Sequence, residues 1–261
     1  MVENERTTRK QRIDHQLARA GWGKTSIAPV EELLLNARAI QPAFAARILE
    51  TLGDSGWKLE VDPEMSDGQC LLFHYPSVFS AGSGCYFRPV VKIELGALSD
   101  DWPHETKSIQ PYVIGHFPVL DPNALFTIQV LFAQRTFWEK ACLLHEETFR
   151  PADKPRKLRM ARHYYDLWCL LRAGVGDISF ANKTLFRRVA EHREIFFRYS
   201  WVDYSTHKAG TFRLSPPADH LANWRADYRE MLGPMFFGET PTFEQMMAAA
   251  AEFEETFNAT A

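Results

Sequence analysis

The sequence has no apolar run approaching the roughly 20 residues needed to cross a bilayer. Its opening residues, MVENERTTRKQR, have no apolar core, so we expect no secretory signal there. The four cysteines are scattered, with no CxxC pair and no cluster of histidines near them. A zinc site and a disulfide framework are therefore not expected, and the cytoplasm is the predicted location, away from any membrane.

A strong charge of either sign is also missing. The net charge of −3 argues against a protein that simply coats nucleic acid. Basic residues nevertheless cluster at Arg6–Arg12, Lys154–Arg162 and Arg187–Arg198. If RNA binds, it should bind along such stripes, although solvated helix faces explain them equally well.

In the first half of the chain, the expected secondary structure changes from helices to strands at Trp57. Before it, helices are expected at Thr7–Ala20, Glu31–Ala39 and Ala43–Leu52, the last one opened by Pro42. After it, short segments rich in aromatic and β-branched residues predict strands: WKLEVD, CLLFHYP, CYFRPVVKIELG and ALFTIQVL. The turn-like Ser80–Gly84 predicts that the second and third strands form a hairpin. Leu98–Gln110 is expected to be a loop.

Beyond Arg135 the apolar spacing becomes helical. Five helices are predicted, in TFWEKACLLHEETF, KLRMARHYYDLWCLLRAG, KTLFRRVAEHREIFFRYS, ADHLANWRADYREMLG and TFEQMMAAAAEFEETF. Gly174 should end the second, Asp219 should help to start the fourth, and Thr242 with Gln245 should form a capping box on the fifth. The final TFNATA is expected to fray. The pattern predicts an α/β or α+β domain over residues 1–133 and a helical domain over residues 134–261.

Three charged side chains lie beside apolar faces. Alternation along Cys85–Gly96 puts Glu94 on one face of its strand with Lys92, where it either lines a site or points to solvent. Lys140 borders the apolar stripe of its helix, so its ammonium either reaches a phosphate or extends into water. Asp166 lies in a helix of largely apolar residues, with Arg162 and His163 one turn earlier.

Asp166 therefore has two interpretations. It pairs with Arg162 within the helix, or it belongs to a polar site where this helix meets the strand of Glu94. Together, two carboxylates and a lysine are the residue types that metal-assisted phosphoryl or nucleotidyl transfer uses. Their spacing alone does not identify this chemistry.

Long segments of the sequence resemble a known toxin family. RTFWEKACLLHEE followed by PADKPRKLRMARHYYDLWCL is similar to the signature region of the AbiEii/AbiGii nucleotidyltransferase toxins, including the MenT-like branch. VVKIELGALSDDWPHE and HREIFFRYSWVDY also resemble family sequence. The resemblance implies part of a nucleotidyltransferase-fold mixed sheet followed by a helical domain. It also implies an NTP and Mg²⁺ as cosubstrates, an RNA acceptor such as the tRNA 3′ end, and a separately encoded AbiEi-like antitoxin.

The resemblance also implies roles for particular residues. Lys140 matches the lysine that binds the triphosphate, and Asp166 matches the essential acidic residue of the HYYDL helix. Glu94 matches the third carboxylate of nucleotidyltransferases, which binds metal. Arg135 and Arg162 are candidates for phosphate or RNA contacts.

One expected motif is absent from the sequence. Family members carry a Gly-Ser or Gly-Gly-Thr turn followed by a Ser-x-Asp-x-Asp strand, and the 261 residues contain no Asp-x-Asp. Gly82–Gly84 is followed by no such strand. We therefore expect a chain that begins after this motif and is inactive or nearly so. The alternative is a non-catalytic remnant that binds RNA or the antitoxin.

Overall fold

The computed structural model describes residues 37–64, 70–77, 90–95, 100, 102–121, 124–233, 235–236 and 239–261. The chain divides into two compact units, Met1–Asp100 and Asp101–Ala261. Helices and small antiparallel sheets together confirm the α+β class. The predicted helix Thr7–Ala20, the basic cluster Arg6–Arg12 and the turn Ser80–Gly84 lie outside the described residues.

In the described part of the first unit, one helix precedes a three-stranded antiparallel sheet of order β1-β2-β3. The elements are α1 (Ala37–Leu52), β1 (Lys58–Val61), β2 (Cys70–His74) and β3 (Val90–Glu94). The predicted pairing of the second and third strands is confirmed, with Cys70 opposite Glu94. Leu59 and Leu71 form a small core that also receives Ala45 and Ile48 from α1 and Ile93 from β3. The β-branched and leucine side chains of one sheet face thus pack beneath the helix.

The predicted break at Pro42 is wrong. A single helix, α1, runs from Ala37 to Leu52 with Pro42 inside it. Proline has no backbone N–H, so the helix lacks one internal hydrogen bond at Pro42 and continues on both sides of it. A proline inside a helix was therefore taken for its first residue.

The second unit begins with a two-stranded hairpin and continues as helices. Its elements are β4 (His104–Ile109), α2 (Tyr112–His116), β5 (Phe126–Leu131), α3 (Ala133–Glu147), α4 (Arg162–Arg172), α5 (Val175–Ala181), α6 (Lys183–Phe196), α7 (Leu221–Met231) and α8 (Phe243–Asn258). Short 3-10 turns occupy Tyr204–Thr206 and Ala218–His220. The boundary predicted near residue 134 falls within this unit, between the hairpin and the helices, and stays a prediction.

The prediction of a loop over Leu98–Gln110 is wrong for its second half. His104–Ile109 is β4, which pairs antiparallel with β5 from His104 opposite Leu131 to Ile109 opposite Phe126. The strand HETKSI is largely exposed and has no apolar face. Periodicity of apolar residues, the main strand signal, is therefore missing from it.

The core of the second unit surrounds α3. Trp138 is fully buried, and its ring centroid lies 4.5 Å from that of Phe186 on α6 and 5.3 Å from that of Phe257 on α8. α3 also packs against α4 and α5. Burying an aromatic side chain of this size contributes about 1.5–3 kcal/mol, so these contacts fix the position of α3.

The five predicted helices are confirmed, although the second begins later than predicted, at Arg162, and the third ends earlier, at Phe196. Gly174 follows α4 with a φ of 73°, the left-handed conformation that favours glycine. Thr242 and Gln245 form the predicted capping box. Asp219 lies in the 3-10 turn Ala218–His220, directly before α7. The N-cap residue of α7 is His220, and its side chain makes no capping hydrogen bond.

Two features of this helical region differ from the prediction. α5 was not predicted, since seven residues are too few to show a period. The predicted fraying of TFNATA is wrong at its start, because α8 continues to Asn258, whose side chain accepts hydrogen bonds from the backbone of Gly210 and Phe212. None of the described helices is long and apolar enough to span a membrane.

Candidate active site

Lys140 lies at the edge of the buried face of α3. The face itself consists of apolar side chains with no solvent exposure: Phe137, Trp138, Ala141 and Leu144. The Lys140 side chain is 24% exposed. Its aliphatic stem therefore packs in the helix interface while its ammonium group remains accessible.

Two side chains of α4, one helical turn apart, meet this ammonium. Lys140 Nζ lies 2.8 Å from Asp166 Oδ2 and 3.1 Å from His163 Nδ1. His163 Nδ1 and Asp166 Oδ2 are 4.0 Å apart. These three residues form what we call the Lys140 cluster. The partner of Asp166 is thus Lys140 of α3, whereas the sequence suggested Arg162 or the strand of Glu94.

His163 is the neutral member of the cluster. Its side chain is 9% exposed, and burial lowers its pKa to about 3, with the charges of Lys140 and Arg162 acting in the same direction. At neutral pH the ring is therefore uncharged. Since Nδ1 faces an ammonium that can only donate, Nδ1 is the acceptor and the ring proton sits on Nε2.

The start of α4 is held by contacts from later in the chain. Asp227 on α7 accepts hydrogen bonds from the backbone N–H groups of Arg159 at 2.6 Å and Ala161 at 2.7 Å. Arg159 has a φ of 66°, which costs a non-glycine residue about 1–2 kcal/mol. Tyr164 donates a hydrogen bond to the Leu214 carbonyl at 2.6 Å. These bonds fix the turn of α4 that presents the histidine and the aspartate.

The two predicted arginines lie in different surroundings. Arg135 is fully buried, with its Nε 2.9 Å from Glu139 Oε1 and a short hydrogen bond to the Trp102 carbonyl. This arrangement ties α3 to the segment before β4. Arg162 is the first residue of α4 and is exposed, next to the Lys140 cluster in sequence. Their predicted contacts with phosphate or RNA stay predictions, and the exposure of Arg162 makes it the more accessible of the two.

Glu94 belongs to the first unit. As predicted, it shares a strand face with Lys92, opposite the face of Ile93 that packs in the core. Lys92 Nζ lies 3.2 Å from Glu94 Oε1 and 3.6 Å from Asp62 Oδ2. The hydrogen bond with Glu94 raises the pKa of Lys92. Asp62 is only 3% exposed, and sequence reasoning missed it because a carboxylate just after a strand looks like part of a turn.

These carboxylates are the candidate ligands for the Mg²⁺ that the resemblance implies. Among the residues that the structure describes, no three side chains of histidine, cysteine, aspartate or glutamate are grouped closely enough to hold a metal ion. Glu94 and Asp62 both face the ammonium of Lys92, which occupies the position between them. This part of the chain therefore does not fit a resident metal ion.

A second polar cluster near the end of α3 was also missed. Glu146 is 1% exposed and accepts two hydrogen bonds from Arg193 on α6, at 2.7 and 2.6 Å. His207 Nε2 lies 3.5 Å from Glu146 Oε1. Burial lowers the pKa of the adjacent His145 to about 3. The paired charges join α3 to α6 rather than facing solvent.

The segment between α3 and α4 forms a basic pocket of about 330 Å³ against the start of α7. Arg150 and Arg156 line it and both bind the buried Glu147, which raises the pKa of Arg150. Lys154 and Lys157 are exposed at its rim. The Lys154 ammonium lies 4.3 Å from the ring centroid of Trp201. The predicted basic cluster Lys154–Arg162 thus combines exposed cations with an aromatic ring, and it leads directly into α4.

A family model matches most of the chain. The family model described as "Nucleotidyl transferase AbiEii toxin, Type IV TA system" matches residues 35–257. The chain belongs to the AbiEii family. The match includes α3 and α4, and so all three residues of the Lys140 cluster.

Membership in the AbiEii family confirms the resemblance recognised in the sequence. The family consists of nucleotidyltransferase toxins of toxin–antitoxin systems, and it implies an antitoxin as a partner. No curated protein and no solved structure matches the chain.

Proposed function

We propose that the chain transfers a nucleoside monophosphate from an NTP to an RNA acceptor, with the 3′ end of tRNA as the acceptor that the family resemblance implies. In this reaction a hydroxyl oxygen of the RNA forms a bond to the α-phosphorus. The bond between the α- and β-phosphates breaks, pyrophosphate leaves, and the hydroxyl proton passes to solvent. The cytoplasm, where tRNA and NTPs are available, is the proposed location.

The observation that carries this proposal is the Lys140 cluster. An ammonium group at the surface, held by a carboxylate and a neutral imidazole, is suited to bind the oxygens of a triphosphate. It would stabilise the charge that develops on the leaving pyrophosphate. Asp166 would hold the Lys140 ammonium in place.

The basic pocket supports an RNA partner. Its exposed Lys154 and Lys157 offer contacts to phosphates. Arg159 and Arg162 continue the line of exposed cations from the pocket to α4. A strand that follows this line would arrive beside Lys140.

Mg²⁺ enters the proposal with the substrate. Mg²⁺ in such reactions is bound by substrate phosphates together with one or two carboxylates. The donor is therefore taken to be the Mg²⁺ complex of the NTP. Glu94, the metal-binding carboxylate that the resemblance implies, faces Lys92 in the structure, so no metal ion and no step of the reaction is assigned to it.

A non-catalytic role is the second candidate. The sequence has no Asp-x-Asp pair, which the two-metal form of nucleotidyl transfer would use. On this view the 261-residue chain transfers slowly or not at all, and it binds RNA or the antitoxin instead. The basic pocket favours this candidate as much as it favours the enzyme.

A transfer assay separates the two candidates. Each of the four labelled NTPs would be incubated with total tRNA, Mg²⁺ and the full chain, beside Lys140→Met and Asp166→Asn. Lys183→Ala, an exposed lysine at the start of α6, is the matched control. Transfer that the control retains and both site variants lose supports the enzyme. Salt-dependent RNA binding without transfer by any variant supports the binding protein.

A further inference from the structure

The Lys140 ammonium has three N–H donors, and the structure assigns partners to two of them. One is directed at Asp166 Oδ2 at 2.8 Å and another at His163 Nδ1 at 3.1 Å. The two partners lie on the same face of α4, one turn apart, and are 4.0 Å from each other. Because the donors of an ammonium are arranged tetrahedrally, two fixed bonds determine the direction of the third.

His163 differs from Asp166 in how firmly it is held. The aspartate side chain is 37% exposed, whereas the histidine side chain is 9% exposed. The residue after the histidine, Tyr164, is 1% exposed and hydrogen-bonded to Leu214. Of the two partners of Lys140, the imidazole is therefore the more rigid.

We propose that His163 is a positioning residue, which holds the Lys140 ammonium so that its third N–H points outward to the phosphates of the bound NTP. This inference rests on the proposed function of the Lys140 cluster. A flexible lysine loses side-chain entropy when it is immobilised on a ligand. A rigid, neutral acceptor reduces that loss, since it orders the ammonium before the ligand arrives and leaves its charge unchanged.

Two amides make a matched pair of variants. The Oδ1 of an asparagine can occupy the position of the imidazole Nδ1, whereas the Oε1 of a glutamine corresponds to Nε2 and lies beyond it. His163→Asn should therefore keep the acceptor for Lys140, and His163→Gln should displace it. Both amides are neutral and polar, so they differ mainly in where the acceptor sits. His163→Phe removes the acceptor but keeps a ring.

The test measures affinity and does not require catalysis. Binding of inorganic tripolyphosphate and of trinitrophenyl-ATP to the full chain would be titrated, with thermal unfolding as the check on folding. We expect His163→Gln and His163→Phe to lower the affinity for both ligands by roughly 10-fold. This fold-change corresponds to about 1.4 kcal/mol, the order expected for the loss of one charge-assisted hydrogen bond. His163→Asn should stay within about threefold of the wild type, a shift well under 1 kcal/mol. RNA affinity should be unchanged in all three.

The outcomes separate two failures. If Lys140→Met weakens both ligands but the glutamine and phenylalanine variants bind like the wild type, His163 has no positioning role and the proposed function survives. If Lys140→Met leaves the binding of both ligands unchanged, the triphosphate site itself is wrong and the role of His163 is overturned with it. Equal losses in the asparagine and glutamine variants would also overturn the inference, because the acceptor position would then be irrelevant.

Discussion

Lys140 on α3 and Asp166 on α4 are joined by an ion pair of 2.8 Å that spans the interface between the two helices. Both side chains are partly exposed, at 24% and 37%, so the pair is screened by solvent. A pair of this kind contributes little to stability while it holds an ammonium at the surface. Its removal is therefore a way to test ligand binding separately from folding.

Removing either partner of this pair should spare the fold. We expect Lys140→Met and Asp166→Asn each to change the free energy of unfolding by no more than about 1 kcal/mol, the usual range for exposed pairs. Lys140→Met should lose most tripolyphosphate affinity, whereas Asp166→Asn should lose less, because its amide oxygen can still accept a hydrogen bond from Lys140. The double variant should lose little more than Lys140→Met alone. Urea unfolding and ligand titration measure the two effects. A loss of more than about 2 kcal/mol of stability would mark the pair as structural.

The buried pair of Glu146 and Arg193 should behave in the opposite way. Glu146→Gln leaves the Arg193 guanidinium without its carboxylate in a buried position, and we expect a loss of about 3–5 kcal/mol in the free energy of unfolding. The matched control is Arg225→Met, which breaks an exposed ion pair with Glu244 and should cost about 0–1 kcal/mol. Similar losses in both variants would contradict this account.

Acid should destabilise the protein through its buried histidines. The pKa of His145 falls from 6.5 to about 3 on folding, because of burial first and the nearby His207 second. Between these values the unfolded chain takes up a proton that the folded chain does not. Stability conferred by the neutral ring is therefore complete above pH 6.5 and declines as the pH falls toward 3, by up to about 1.4 kcal/mol per pH unit for each such histidine.

The pKa of His163 is lowered in the same way, so this residue adds to the decline of the free energy of unfolding at acidic pH. Unfolding in urea at roughly pH 7.5, 6 and 5 would measure how the free energy of unfolding depends on pH. His145→Asn should have a shallower pH dependence than the wild type, whatever its stability at neutral pH. An unchanged slope in that variant would mean that His145 is protonated in the folded state.

The basic pocket should carry RNA affinity that other basic surfaces do not. Lys154→Glu with Lys157→Glu should weaken binding of total tRNA and reduce the salt dependence by roughly 0.7 per lost phosphate contact. Lys107→Glu with Lys183→Glu makes the same charge change at exposed positions outside the predicted basic clusters and serves as the control. Fluorescence anisotropy over a range of salt concentrations measures both. Equal losses in the two double variants would indicate a general charge effect without a defined RNA path.

Much of the secondary structure could be predicted because its signals are local. Helical spacing of apolar residues identified the five longest helices of the second unit, and Thr242 with Gln245 identified the start of α8. β4 was missed because its polar residues carry no alternating apolar pattern. The break at Pro42 was wrong because a proline signal does not say how far into a helix it lies.

The candidate site was predictable as a set of residues but not as a geometry. Lys140 and Asp166 were singled out because each is a charged residue beside an apolar stripe, and the family resemblance supplied their roles. Nothing local indicated that His163 would be buried against Lys140. Glu146 and Arg193 were missed for the same reason, since charged residues 47 positions apart have no detectable pattern in sequence.

The sequence by itself determined the α+β class, the main helices and the AbiEii family. Apolar periodicity, capping residues and family motifs all involve residues that are close together in the sequence. Only the tertiary structure decided that Asp166 pairs with Lys140 instead of Arg162, that Arg135 is buried, and that His163 is neutral. Those outcomes depend on which helix faces pack together and on how much water they exclude. Packing of α3 against α4 brings the three side chains together, and burial then sets the protonation of the histidine.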